Sequence, residues 1–105
     1  MQSEADHNQE LLEEVDVEEA AKSGRPVRPA RRYRIRIDKE QKVVEQPIVT
    51  GRFILSLVGK TPETYLLSQR LRGGHVDEVG ADEPVDLREC GVERFMTLKR
   101  DPQEG

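Results

Sequence analysis

The apolar residues of this chain are crowded into one stretch: residues 33–98 hold 26 of the 36 hydrophobic residues in a sequence of 105. Only that stretch has material for a core, because 36% of the chain is charged and 4% is aromatic. The expectation is one small domain of modest stability, with polar flanks. No run approaches the roughly 18 apolar residues of a membrane span, and no basic-then-apolar leader points to secretion. A single cysteine excludes an internal disulfide and a multi-cysteine zinc site, and His7 and His75 are too scattered to replace it. The net charge of -4 argues against a general polyanion binder. These bounds describe a cytoplasmic protein with no catalytic chemistry of its own, no cofactor and no membrane partner.

The flank before residue 33 is split by charge. Residues 1–20 hold eight acids and no Lys or Arg, while residues 22–32 hold five bases and no acid, with Pro26 and Pro29 among them. Blocks of like charge repel and stay solvated, and prolines break a helix that would cross them. Residues 1–32 are therefore expected to form a disordered arm. Gln9–Lys22 has the makings of a transient helix at most, with Leu11, Leu12 and Val15 near one face. Removing residues 1–30 should then barely move the melting temperature.

Order is expected from Tyr33. Tyr33-Arg34-Ile35-Arg36-Ile37 alternates apolar and cationic side chains, the period of a half-buried strand with Tyr33, Ile35 and Ile37 inward. Asp38–Gln41 reads as a turn and Lys42–Gln46 as the returning strand, ended by Pro47. Thr50 is placed to cap a helix whose stripe is Phe53, Ile54, Leu57 and Val58, with Gly59 at its left-handed end. Tyr65–Leu71 reads as a third strand, Gly73-Gly74 as a tight turn and His75–Val79 as a short fourth strand. Ala81–Pro84 is a loop, Val85–Leu87 a brief turn or single helical turn, and Glu93–Leu98 the last strand. The order strand, strand, helix, strand, short strand, strand predicts an α+β fold of the β-grasp kind. One helix lies across a mixed sheet, and the last strand returns beside the first. The domain spans residues 33–98, and residues 99–105 form a flexible tail.

Catalytic motifs are missing: no Ser/His/Asp set, GxSxG, HExxH or phosphate loop is present. Asp77-Glu78 and Asp82-Glu83 read as solvated acids, Cys90 as a small half-buried hydrophobe, and His75 as a surface residue without a partner. The basic stretch Arg25–Arg36 offers a phosphate-binding patch. Its acidic neighbour can fold back and neutralise it, and stacking aromatics are almost absent, so nucleic acid is not the expected partner. Gly105, with no Cβ, suits a carboxylate that threads a narrow channel to be adenylated. Arg70-Leu71-Arg72-Gly73-Gly74 repeats the five residues that end ubiquitin, but here they are internal. Cleavage after Gly74 would remove the last strand with Phe95, so the diglycine is expected to be a turn and not a processing site.

Tyr33–Asp38, Ile48-Val49-Thr50-Gly51-Arg52 with Ile54-Leu55, Val85-Asp86-Leu87-Arg88 and Gly91-Val92-Glu93-Arg94-Phe95 together resemble the bacterial multi-ubiquitin domain family, a set of ubiquitin-like β-grasp modifiers. The resemblance covers about residues 33–98, one copy of the domain. It implies a protein modifier of a bacterial ubiquitination-like conjugation pathway linked with antiphage defence, joined to its targets by an isopeptide bond. The implied partners are an adenylating activating enzyme, a conjugating-enzyme-like protein, a metal-dependent peptidase and the protein targets. ATP and magnesium would sit on the activating enzyme. Gly105 would be the conjugation terminus, carried on the tail Lys99, Arg100, Asp101, Pro102, Gln103 and Glu104. The alternatives are a non-covalent β-grasp interaction module, with Arg34, Arg36 and Met96 facing the partner, and a sulfur carrier.

Overall fold

Alternation of side chains along a central strand organises the molecule. The computed structural model describes residues 11–89 and 91–101. In chain order these form β1 (Leu12–Asp16), α1 (Val17–Lys22), β2 (Ala30–Ile37), β3 (Glu40–Val44), β4 (Ile48–Thr50), α2 (Gly51–Ser56), β5 (Tyr65–Leu71), β6 (Val76–Val79), β7 (Pro84–Asp86) and β8 (Val92–Lys99). In β2 the inward residues are those the alternation selects: Tyr33, Ile35 and Ile37 are buried, and the arginines between them face outward. They pack with Ile54 and Leu55 of α2, Leu67 of β5 and Phe95 of β8 in one core.

The main sheet runs β1-β2-β8-β5-β6, with β3 also on β2. β8 lies parallel to β2, joined at Ile37 and Phe95, and antiparallel to β5 along its length. The last strand therefore returns beside the first strand of the body, with a helix packed on the sheet. This is the ubiquitin-like β-grasp, an α+β fold. β4 and β7 add a separate two-stranded sheet through Val49 and Val85. Val85–Leu87 is thus not the turn that the sequence suggests: Pro84–Asp86 is extended, and Leu87 is buried with its N–H donating to the Pro47 carbonyl.

The helix α2 begins where its cap requires. Thr50 Oγ1 accepts from the Phe53 N–H at 3.2 Å. Gly51 follows because its Cα rests against the Gly80 carbonyl; a Cβ there would lie 2.3 Å from that oxygen. The exit is a left-handed Gly59 (φ 73), with Gly59 N–H donating to Ser56 O and Lys60 N–H to Leu55 O. The buried face centres on Ile54 and Leu55, with Phe53, Leu57 and Val58 only half-buried at its flanks. The internal diglycine is a hairpin turn between β5 and β6. Both Gly73 and Gly74 have positive φ (94 and 95), and Leu71 N–H donates to His75 O across it.

The expectation of a disordered arm over residues 1–32 fails for residues 11–32. Residues 1–10 lie outside the described residues. β1 pairs in parallel with β2, from Leu12 beside Ala30 to Asp16 beside Arg34. Asp16 then caps α1 by accepting from the Glu19 N–H at 3.1 Å, and α1 buries Val17, Ala20 and Ala21. Val27 and Ala30 complete the segment's share of the core. Among the described residues there are accordingly two short helices, not one. Like-charge repulsion is real within residues 1–20, but the neutralising charges stand on β2, far along the chain. Six residues are too few for a free helix, so α1 exists by packing, where small alanines let it approach the sheet closely. Pro26 and Pro29 fall in the connector, where they break nothing.

Candidate functional site

Two surfaces matter: the end of β8, from which the tail leaves, and the outward row of arginines on β2. The first is built on Asp38, the opening residue of the β2–β3 turn, held at φ 55. Asp tolerates this left-handed conformation better than most side chains do. Asp38 N–H donates to Phe95 O at 2.8 Å, after which β2 turns away from β8. The Asp38 carboxylate continues the lost ladder: Oδ1 accepts from Thr97 N–H at 2.9 Å and Oδ2 from Thr97 Oγ1 at 2.6 Å. Lys60 Nζ sits 3.5 Å from Oδ2, donates to Thr97 Oγ1 at 2.8 Å and lies 4.5 Å from the centre of the Tyr65 ring. Burial pushes the Asp38 carboxyl up, but the two Thr97 hydrogen bonds and the Lys60 charge outweigh it and hold the group below its ordinary value. This cluster pins the last strand to the first hairpin, just before the tail.

Of the expected tail, Lys99 belongs to β8 and pairs with Tyr65. Arg100 is tied down as well, its N–H donating to Thr64 O at 2.8 Å and its Nε to Pro62 O at 2.8 Å. The anchored body thus runs to Arg100, two residues past the expected boundary at 98. Asp101 is exposed. Pro102, Gln103, Glu104 and Gly105 lie outside the described residues, as does Cys90.

The second surface is already occupied. Arg34 pairs with Glu14 of β1, its Nε donating to Oε2 at 2.8 Å and its second guanidinium nitrogen to the same oxygen. Arg36 reaches Glu18 Oε2 of α1 at 3.4 Å, and Lys22 reaches the same carboxylate at 2.9 Å. Arg32 meets Glu13 at 3.4 Å and Glu14 at 3.6 Å. The two arginines expected to face a partner are therefore ion-paired within the chain, with their side chains still partly exposed. Met96 stands apart from them, half-buried opposite Ser68. Next to it, Leu98 is 66% exposed and pairs with half-buried Leu66. His75, expected to be partnerless, lies 2.7 Å from Asp77. Asp82 pairs with Arg52, and Glu83 accepts from the Gly80 N–H, so these acids have structural partners.

Sequence reasoning missed Asp38, Lys60 and Thr97, and it foresaw an acidic neighbour folding back on the basic stretch without singling out Glu14 and Glu18. A signal existed for the last two: Glu14, Asp16 and Glu18 are spaced two apart, as are Arg32, Arg34 and Arg36. Nothing in the sequence joins Lys60 to Asp38. Among the described residues no group of three or more His, Cys, Asp or Glu is placed to hold a metal. No helix among them is long and apolar enough to cross a membrane.

A family model described as Multiubiquitin matches residues 33–100. The chain belongs to the multiubiquitin family. The match begins at Tyr33 in β2 and ends at Arg100, the residue anchored to Thr64, so it coincides with the β-grasp body and leaves β1 and α1 outside. No curated protein and no solved structure matches the chain.

Proposed function

We propose that this multiubiquitin-family protein is a ubiquitin-like modifier, activated at the Gly105 carboxylate by an adenylating enzyme and transferred to target proteins by an isopeptide bond. The observation that carries the reading is the family match over a whole β-grasp body, residues 33–100. The anchoring of β8 and Arg100 supports it, because a tail handed to an enzyme needs a fixed base. In this reading the chain supplies no catalytic residue. ATP and magnesium belong to the activating enzyme, a conjugating-enzyme-like protein takes the activated chain, and a metal-dependent peptidase trims or releases it. The setting is a bacterial cytoplasm, in a conjugation pathway of antiphage defence.

In the first step the Gly105 carboxylate attacks the α-phosphate of ATP, giving an acyl-adenylate and releasing pyrophosphate. A thiol of the enzyme system then displaces AMP, and a target lysine amine displaces the thiol to leave an amide. Incubation of the chain with its cognate activating enzyme, ATP and magnesium should produce pyrophosphate and an adduct, and deletion of Gly105 should abolish both. Adduct formation that is indifferent to Gly105 would remove the modifier reading.

One observation favours a second reading, a non-covalent interaction module: the exposed Leu98 beside Leu66 and Met96 on the outer face of β8 and β5. A complex that survives removal of residues 101–105 but is lost with Leu98→Asp would select it. Added sulfur at Gly105 by mass spectrometry would instead select a sulfur carrier.

A further inference from the structure

The β1–α1 segment joins the sheet in an unusual place. Val15 of β1 and Val44 of β3 both pair with Tyr33, so β1 and β3 lie on opposite edges of β2. Glu40 of β3 and Phe95 of β8 both pair with Ile37, so β8 too lies opposite β3. β1 and β8 therefore share one edge of β2, β1 along Ala30–Arg34 and β8 only at Ile37. α1 fills the split between them, packed on both β2 and β8. Without the segment, the N-terminal half of β2 would present an open edge flanked by Arg32, Arg34 and Arg36, next to a slot now holding Val17 and Ala20.

We propose that β1 and α1 are a detachable internal ligand, and that the groove they fill is a docking site for an acidic segment of a partner protein that adds to β2 as a strand and continues as a short helix. The reading is independent of whether Gly105 is conjugated. Its occupant is defined by what sits there now. Parallel strand addition satisfies the β2 edge. Carboxylates four residues apart, Glu14 in the strand and Glu18 in the first turn of the helix, meet Arg34 and Arg36, two apart on β2. Small apolar residues then enter the slot. A phosphate chain could meet the arginines, but it has no strand backbone to offer the edge and nothing apolar for the slot.

The outer ion pairs that hold the segment are of a releasable kind. Arg31, Arg32 and Glu13 pair across exposed positions, where solvent and salt weaken the attraction. The buried apolar side chains of α1 are one valine and two alanines, beside the buried Glu18 carboxylate with which Arg36 and Lys22 pair, whereas the body buries Phe95, Tyr33, Ile37 and Ile54. The seven residues between Lys22 and Ala30 include a left-handed Gly24 and two prolines, and Val27 anchors this connector in the core, so the segment can swing as a unit about the part that precedes Val27. The segment also lies outside the family match, as expected of an element that regulates the body without being needed to specify it.

Amide exchange on the wild-type chain tests detachment. The β1 amides bonded to β2 should exchange at least about a hundredfold faster than those of Leu67 and Phe95, and faster still at high salt. If β1 and Phe95 exchange together, the segment opens only with the whole molecule and the proposal fails. Fluorescence polarisation with a labelled peptide of this chain's residues 9–22 tests docking. Full-length chain carrying Glu14→Arg and Glu18→Arg should bind it at least about tenfold more tightly than wild type, and adding Arg34→Glu and Arg36→Glu should abolish the gain. No gain over wild type would overturn the site, as would a scrambled peptide or a single-stranded oligonucleotide binding equally well. Should the Glu14→Arg, Glu18→Arg chain not fold, the wild-type exchange result decides alone.

Discussion

The body from Tyr33 to Arg100 and the segment before it are both ordered, but by different means. The body is closed by large apolar side chains drawn from β2, α2, β5 and β8, with Phe95 and Ile37 fully buried where β8 meets β2. The segment is held by a strand edge, a few small apolar contacts and matched charges. Burial of large side chains is worth about 1.5–3 kcal/mol each, while an exposed ion pair contributes about 0–1 kcal/mol. The difference teaches that order and indispensability are separate properties: residues 11–32 are structured because the body gives them somewhere to lie.

The comparison can be broken most sharply at Phe95. Phe95→Ala should destabilise the chain by about 3–5 kcal/mol in a urea titration, enough to unfold body and segment together. A smaller effect comes from the segment: Val17→Ala should cost about 2 kcal/mol, since Val17 is fully buried. A change near zero would mean that α1 does not pack on the body. Removing residues 1–28 should likewise lower the melting temperature by several degrees, the reverse of what an unstructured arm would do.

The smallest effect is expected at the Asp38 cluster. Asp38→Asn keeps a side chain that tolerates positive φ and removes the charge, so it isolates the carboxylate's hydrogen bonds to Thr97 and its attraction to Lys60. Because the folded carboxyl is held below its ordinary value, its stabilisation is complete above the unfolded pKa of about 3.9 and fades as pH falls through the lower folded value. Wild type should exceed the variant by about 1 kcal/mol at neutral pH, modest because the side chain is 35% exposed. The gap should close below about pH 4. A gap that persists at pH 2 would place the effect in packing instead of charge.

The body was legible because its signals are local. Alternation at Tyr33–Ile37 names the inward face, Thr50 and Gly59 mark the ends of α2, and Gly73-Gly74 marks a hairpin, each within a few residues. Ile48–Thr50 and Pro84–Asp86 were harder, because each is three residues long and a strand only by virtue of the other. The segment was misread for the same reason on a larger scale. Its composition is that of a solvated arm, and the edge of β2, the apolar slot beside it and the arginines Arg32, Arg34 and Arg36 change the outcome. The Asp38–Thr97 clamp is equally non-local, its partners 59 positions apart.

The most direct test is a nuclear Overhauser spectrum of the full chain, read at two pairs of residues. The account predicts backbone contacts between Ile37 and Phe95 and also between Val15 and Tyr33, placing β8 and β1 on the same edge of β2. Ile37–Phe95 contacts with none between Val15 and Tyr33 would contradict it, leaving the body intact and the segment an arm.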